Sequence, residues 1–375
     1  MALAGVITAL LSPVCGAIAD FNGRRKYWLG ASTLILVASS ALLWFGKAEP
    51  HYAAFILTCV VVGTISLNLS MVFYNAMLPS LAGRKYTGRI SGWGWGLGYF
   101  GGLVILVIVL YGFVAGKPHW LNTATFEQVR ICGPLVAVWT GLFALPLFLL
   151  VPDDSVRRTG FFSGIRLGLK ELAHTARQML HQKSKKNILI FLVAQMIYTD
   201  GLGTLFAFGG IYAAGTFHMQ ISEVLLFGIV MNAFAGLGSM VLAQVDDWMG
   251  AKFTILLSLF FLTVTGLGIV LITNKTGFWT LGCILALFVG PVQSSSRSLM
   301  AQLIPKKKTT EMFGFYILSG KVSTFLGPWL VGSMTLYFNS QRIGMGSMLA
   351  FFVLGGIVLH FVPYHKTKTI TNDSL

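Results

Sequence analysis

Apolar residues run through this chain in stretches of about 20, broken by short polar loops, and a helix of that length crosses a hydrocarbon layer of roughly 30 Å. About eleven such stretches begin near Ala2, Tyr27, His51, Gly92, Ile131, Asn187, Ser222, Phe253, Gly277, Glu311 and Ile343. No barrel-type alternation competes with them, so the pattern predicts an all-α membrane protein. The pattern is also duplicated. Asp20-Phe-Asn-Gly23-Arg24-Arg25-Lys26 follows the first stretch, and Asp247-Trp-Met-Gly250-Ala-Lys252 follows another, an offset of 247 − 20 = 227. Pro79 maps to Pro305, Gly88 to Gly314, Gly94 to Gly320 and Gly101 to Gly327, each 226 positions on. An even number of crossings separates the copies, so they share one orientation, the parallel-repeat plan of a two-lobed secondary transporter.

The repeat sets the expected organisation: an N-terminal lobe over 1–152, a polar linker over 153–186, a C-terminal lobe over 187–364 and a tail over 365–375. The counterpart of the stretch from Asn187 to Ala214 would lie before Met1, so eleven spans of an expected twelve are read, with the first helix missing. A signal peptide over Met1–Cys15 is the competing reading. It lacks a positive start and a small-residue cleavage site, and Val14 before Cys15 does not suit a lipoprotein box. Within the linker Phe162, Ile165, Leu169, Leu172, Ala176 and Met179 recur every three or four residues. They suggest either an amphipathic helix on an anionic membrane surface or a solvated tether.

Charge orients the spans. Arg24, Arg25, Lys26, Arg84, Lys85, Arg89, the cluster from Arg157 to Lys186, Lys252, Lys306, Lys307, Lys308, Lys366 and Lys368 fall on one side. Lys47, Lys117, Arg130, Lys275 and Arg342 fall on the other. The rich side is expected to be cytoplasmic, and with it the C-terminus. The net charge of +15 does not argue for nucleic acid, because it is scattered over short loops and forms no basic face with interleaved aromatics. Composition agrees with the bilayer reading: 55% hydrophobic and 10% charged residues leave too little polar surface for a soluble globule. Cys15, Cys59, Cys132 and Cys283 stand singly, with no metal spacing, and read as small packing residues. The histidines are isolated, and no HExxH, Gly-x-Ser-x-Gly, Walker loop or acidic metal cluster occurs. The sequence therefore predicts no enzymatic chemistry, no metal and no cofactor.

Gly16-Ala-Ile-Ala-Asp20-x-x-Gly23-Arg24-Arg25 resembles the loop between the second and third helices of the major facilitator superfamily, with Phe21 where a basic residue is usual. More specific are Phe73-Tyr-Asn-Ala-Met-Leu-Pro79, Ser91-Gly-Trp-Gly-Trp-Gly-Leu-Gly-Tyr99 with Gly101-Gly102, and Gly290-Pro-Val-Gln293 with Ser296-Arg297-Ser298-Leu-Met. Ile304-Pro305, Phe313-Gly-Phe-Tyr316, Ser319-Gly-Lys321 and Gly327-Pro328 complete the set. Together these are similar, over nearly the whole chain, to the autophagy-related vacuolar effluxer family and its bacterial relatives. The resemblance implies a major facilitator fold, amino-acid release as the activity of fungal members, and a bacterial inner membrane or fungal vacuolar membrane as location. The missing first helix is a departure, since in the superfamily it lines the central cavity.

Several residues carry candidate roles. Asp20, at a helix end, suits the positive N-terminus of a helix from the other lobe, and the resemblance implies that the helix beginning near Glu311 is that partner. The alternative is a solvated surface aspartate. With Gly23, Arg24, Asp247 and Gly250 it forms the expected gate. Gly94, Gly98 and Gly102, with Gly92 and Gly96 alongside, are spaced for close helix packing, with Trp93, Trp95 and Tyr99 within reach of a cavity.

Three ionisable groups lie deep in spans, where burying charge is costly unless a partner or a wet cavity meets it. Asp200 lies about 20 Å and Lys321 about 15 Å along their helices, with Arg297 about 12 Å before Pro305. An acid and two bases at similar depth suit a small zwitterion, with Gln195, Tyr198, Gln293, Asn68 and Asn75 as neutral cavity groups. A closed Asp200–Lys321 ion pair is the structural alternative. The functional expectation is a permease of small solutes, exporting or exchanging amino acids by alternating access, with a proton as possible co-substrate and the lipid bilayer as its environment. A non-transporting receptor or an inactive truncated transporter is the other reading.

Overall fold

The computed structural model describes residues 2–83, 85–116, 118–152, 168, 170, 172–175, 177–179, 182–305 and 308–363. Much of the expected linker, including Phe162, Ile165, Leu169 and Ala176, lies outside these residues, as do Arg84, Lys117, Lys306 and the tail over 365–375. Of the linker positions that are described, Met179 is buried in the main core, and Thr175 Oγ1 accepts a hydrogen bond from Lys308 Nζ at 2.7 Å.

The first half comprises α1 (Ala2–Asn22), α2 (Arg25–Leu42), α3 (Ala53–Ala82), α4 (Thr87–Val107) and α5 (Cys132–Leu150), with α4 running on through a π-helical turn, Ile108–Val114. The second half comprises α6 (Lys183–Phe217), α7 (Ile221–Met249), α8 (Ala251–Leu271), α9 (Lys275–Leu303), α10 (Thr309–Val322), α11 (Leu326–Phe338), α12 (Gln341–Ser347) and α13 (Leu349–His360). Among the described residues there is no strand, and 10 helical stretches are long and apolar enough to cross a membrane. Leu34, Val138, Val241 and Leu271 are exposed on the outside of the bundle, where a bilayer makes apolar exposure favourable.

The tenth stretch, expected as one helix from Glu311, is instead split into α10 and α11 by turns at 323–325. Pro328 explains the break. It has no N–H for the carbonyl four residues back, and its ring crowds that carbonyl. It is tolerated near the start of α11, where N–H groups have no helical partner anyway.

The repeat recurs in detailed contacts. Lys26 Nζ donates to the carbonyls of Phe148, at 2.8 Å, and Val151 at the end of α5. Lys252, its equivalent at 252 − 26 = 226, donates to His360 O at 2.8 Å and Val362 O at 2.7 Å at the end of α13. At the opposite face of the bundle Arg130 Nε donates to Trp44 O at 2.8 Å, and Arg342 Nη1 to Val270 O at 2.7 Å. Each half thus closes its helix C-termini with a cation, which satisfies orphan carbonyls and the negative end of the dipole. Lys252→Met is expected to lose about 1 kcal/mol of stability, read as a fall of a few degrees in the thermal midpoint of the purified protein. An unchanged midpoint would remove this lysine from the account.

The halves meet along two seams, α1 on α10 and α4 on α7. On the second seam a Cβ at Gly92 would lie 2.4 Å from Ala243 Cβ, and one at Gly96 would lie 2.8 Å from the Gly236 carbonyl oxygen. Only glycine fits there. This corrects the packing role expected of Gly94, Gly98 and Gly102. A Cβ at Gly98 or Gly102 would meet nothing within 4 Å, and Gly94 faces the Tyr74 hydroxyl and Arg297. The reason is angular: positions two apart on a helix point roughly 200° apart, so the two glycine series occupy opposite faces of α4.

Candidate functional site

One end of the bundle is latched by two aspartates, one from each half. Asp20, near the end of α1, lies at the N-terminus of α10. Its Oδ1 accepts from Thr310 N at 3.2 Å and Thr310 Oγ1 at 2.6 Å, and its Oδ2 accepts from Glu311 N at 2.9 Å. Asp247, near the end of α7, does the same at the N-terminus of α4: Oδ1 accepts from Gly88 N at 2.9 Å, and Arg89 Nε lies 3.2 Å from Oδ2. A carboxylate on orphan N–H groups at the positive end of a helix is stabilised by both bonds and dipole. Gly23 and Gly250 follow the two aspartates at φ 65° and 99°, backbone that other residues adopt only with strain. Arg25, not Arg24, pairs with Asp20, at 3.0 Å, because Arg25 opens α2 beside the latch whereas Arg24 stands outside the helix and is exposed.

Beyond the latches lies a cavity of about 640 Å³ between the halves. Met71 and Tyr74 of α3, Gly94, Trp95, Gly98, Tyr99 and Gly102 of α4, and Gln293 and Arg297 of α9 are in its wall. It follows α4 from Gly94 to Leu106, away from the latched end at Thr87. Arg297 sits at the end nearer the latches. The residue is 2% exposed, and its guanidinium donates from Nε to Ser91 Oγ at 2.9 Å, from Nη2 to Ser91 O at 2.7 Å and more weakly from Nη1 to Asn75 Oδ1 at 3.4 Å. Tyr74 and Trp95 each present a ring face with the centroid 5.3 Å from Cζ. Gln293, one turn before Arg297, accepts from Trp95 Nε1 at 2.6 Å and Tyr99 Oη at 3.2 Å. Among the described residues no carboxylate pairs with Arg297. Its charge is met by neutral oxygens and π-faces alone, with two of five N–H groups left over.

Arg297 and Gln293 therefore come together in the cavity wall, whereas Asn75 meets Arg297 without being one of the wall residues. Asp200 and Lys321 do not join them: neither lines this cavity, and no ion pair links the two. Asp200, 2% exposed, reaches from α6 to the break between α10 and α11, where Oδ2 accepts from Gly327 N at 2.9 Å. Its Oδ1 is buried without a hydrogen-bond partner among the described residues. Lys321 is half-buried near the end of α10. Tyr198 Oη is hydrogen-bonded to Ser296 Oγ at 2.6 Å, and Gln195 joins Ser319 and Thr199, so both serve the packing of α6 in this structure. Asn68 turns back onto its own helix, donating to Thr64 O at 2.8 Å, and Trp93 points outward.

The sequence reading missed Ser91, Tyr74, Phe206 and Asn232. For Ser91 a signal existed. Ser91, Trp95 and Tyr99 are spaced by four on one helix, and Gln293 and Arg297 by four on another, two polar stripes on otherwise apolar spans.

A duplicated helical bundle, latched at one end around a cavity between its halves, defines a transporter of the major facilitator type. Residues 1–371 match the family model described as "Vacuole effluxer Atg22 like", and the chain belongs to that family. It is 25% identical over 373 residues to the "Uncharacterized MFS-type transporter YxiO" of Bacillus subtilis, covering 100% of this chain and 86% of the relative. It is 25% identical over 333 residues to "Autophagy-related protein 22" of Cryptococcus neoformans, covering 82% of this chain but spanning only 57% of that fungal protein's length. The fold matches the human organic anion transporter MFSD10 (TM-score 0.74, 16% identity, 96% of this chain and 82% of that one). It also matches the transporter FucP in an outward conformation (TM-score 0.75, 11% identity, 96% and 89%).

Proposed function

We propose that this chain is a secondary transporter of small carboxylate-bearing solutes, amino acids among them, in an efflux or exchange direction. Lobes over 1–152 and 187–364 rock about the cavity. The single observation that carries the reading is Arg297, a buried guanidinium with neutral partners facing a cavity between the halves. A buried cation without a counterion is expensive, and an arriving carboxylate supplies the missing charge in the geometry a guanidinium fork prefers. The effluxer description of the family and the organic-anion transport stated for the human structural relative support it. The Lys and Arg bias supports a cytoplasmic position for the latched end and for the C-terminus, so the cavity faces the periplasm of a bacterium or, in a fungal cell, the vacuolar lumen. The zwitterion reading loses the aspartate it relied on, because Asp200 is not in the cavity wall. The test is exchange of radiolabelled carboxylic and amino acids by the purified protein in liposomes. Exchange above that of empty liposomes is expected, and its absence across the panel contradicts the proposal.

Asp200 is proposed as the site of the coupled proton. One oxygen is occupied by Gly327 N and the other is buried with no hydrogen-bond partner among the described residues, so a proton there neutralises a buried charge and leaves the Gly327 bond in place. Asp200→Asn is expected to abolish accumulation driven by a pH gradient and to leave solute exchange intact. Gradient-driven accumulation by the variant would exclude Asp200 from coupling.

A further inference from the structure

A second, apolar chamber of about 310 Å³ adjoins the Arg297 cavity, and Phe206 and Asn232 belong to the walls of both. Leu205, Met231, Phe227, Phe278, Leu285 and Val289 supply most of its lining chemistry. We infer that the two spaces form one bipartite site for an amphipathic monocarboxylate, with the carboxylate on Arg297 and a hydrocarbon or aromatic tail in the chamber. The inference rests on the proposed carboxylate role of Arg297.

Three observations lead there. Among the described residues Arg297 is the one ionisable cation in either wall, and neither wall holds an Asp or Glu. A monoanion balances that charge, a dianion overshoots it, and the ammonium of a zwitterion finds no carboxylate. The chamber is large enough: a cavity of about 150 Å³ lined by aliphatic and aromatic side chains takes up benzene. Its lining is also suited to a tail, since apolar burial is worth about fourfold in affinity per methylene. The Asn232 amide donates to Gly228 O at 2.8 Å, and so turns a polar group at the boundary back into its own helix.

Binding of a carboxylate series to the full chain in lipid nanodiscs tests this by titration calorimetry, with empty nanodiscs subtracted. The probes are butanoate, hexanoate, octanoate, 3-phenylpropanoate, phenylalanine and phenethylamine. Affinity is expected to rise about fourfold per methylene until the chamber is filled, 3-phenylpropanoate to bind at least as tightly as phenylalanine, and phenethylamine not to bind. Gly228 lines the chamber, and a Cβ there meets nothing within 4 Å, so Gly228→Leu is expected to fill the space and flatten the chain-length dependence while sparing butanoate. Gly209→Leu, at an equally open position of the same wall, is the second variant should the first fail to fold. A flat series in the wild-type protein, a series unaltered by the leucines, or phenylalanine bound more than tenfold tighter than 3-phenylpropanoate overturns the inference. If butanoate binds, and its binding is lost in Arg297→Gln, a flat series sinks the bipartite site alone. If no carboxylate binds, or Arg297→Gln binds them all, the carboxylate role of Arg297 falls with it.

Discussion

Arg297→Gln is expected to abolish carboxylate binding and transport in the reconstituted protein while leaving the protein as stable as before, or more so. Glutamine keeps a donor for Ser91 and removes the charge. A hydrogen bond to a charged partner contributes about 1.5–3 kcal/mol, so the loss of one fork interaction alone weakens binding roughly 10- to 100-fold. Stability moves the other way because the guanidinium is buried against neutral groups, whose hydrogen bonds and ring faces offset its desolvation only in part in the empty protein. Arg297→Lys keeps the charge but cannot reproduce the fork that holds both Ser91 Oγ and Ser91 O, so its affinity should fall between wild type and glutamine. Binding titrations with thermal melts separate the possibilities. If the residue only ties α9 to α4, the glutamine variant melts lower and any surviving folded protein binds normally.

The second large effect is expected from the latches. Asp20→Asn with Asp247→Asn should open the end that this structure holds closed. Each aspartate contributes about 1–2 kcal/mol through its charge at a helix N-terminus. Losing both shifts the closed-to-open ratio by roughly 30- to 700-fold. Spin labels at exposed Arg24 and Met249, one in each half, read the shift as a longer distance distribution by pulsed electron resonance. An unaltered distribution in the double variant would show that the glycine seams hold this end without the aspartates.

Much of the architecture was legible in the sequence because the bilayer writes it there: apolar length gives the spans, and the recurrence of Asp20 at Asp247 gives the repeat. The split at 323–325 was not read, because hydropathy runs on through Ser323, Thr324 and Phe325, although Pro328 carried the signal. The site was legible in depth but not in direction. Helical rise puts Asp200, Lys321 and Arg297 at similar levels, yet each residue also turns about 100°, and that angle takes Asp200 to Gly327 while Arg297 faces the cavity. The same ambiguity misassigned Gly94, Gly98 and Gly102. Two glycine series with one spacing lie on opposite faces of α4, and only the position of α7 tells which face is seam and which is cavity wall.

Alternating access around the cavity is tested most directly at Gly98, which lines it and has open space at Cβ. With Cys15, Cys59, Cys132 and Cys283 replaced, Gly98→Cys is exposed to a membrane-impermeant thiol reagent from each side of oriented vesicles. Labelling is expected only from the side opposite the Asp20 and Asp247 loops. Adding Asp20→Asn and Asp247→Asn should move it to the other side. Labelling from both sides at once, or from one side regardless of the aspartates, would contradict the account.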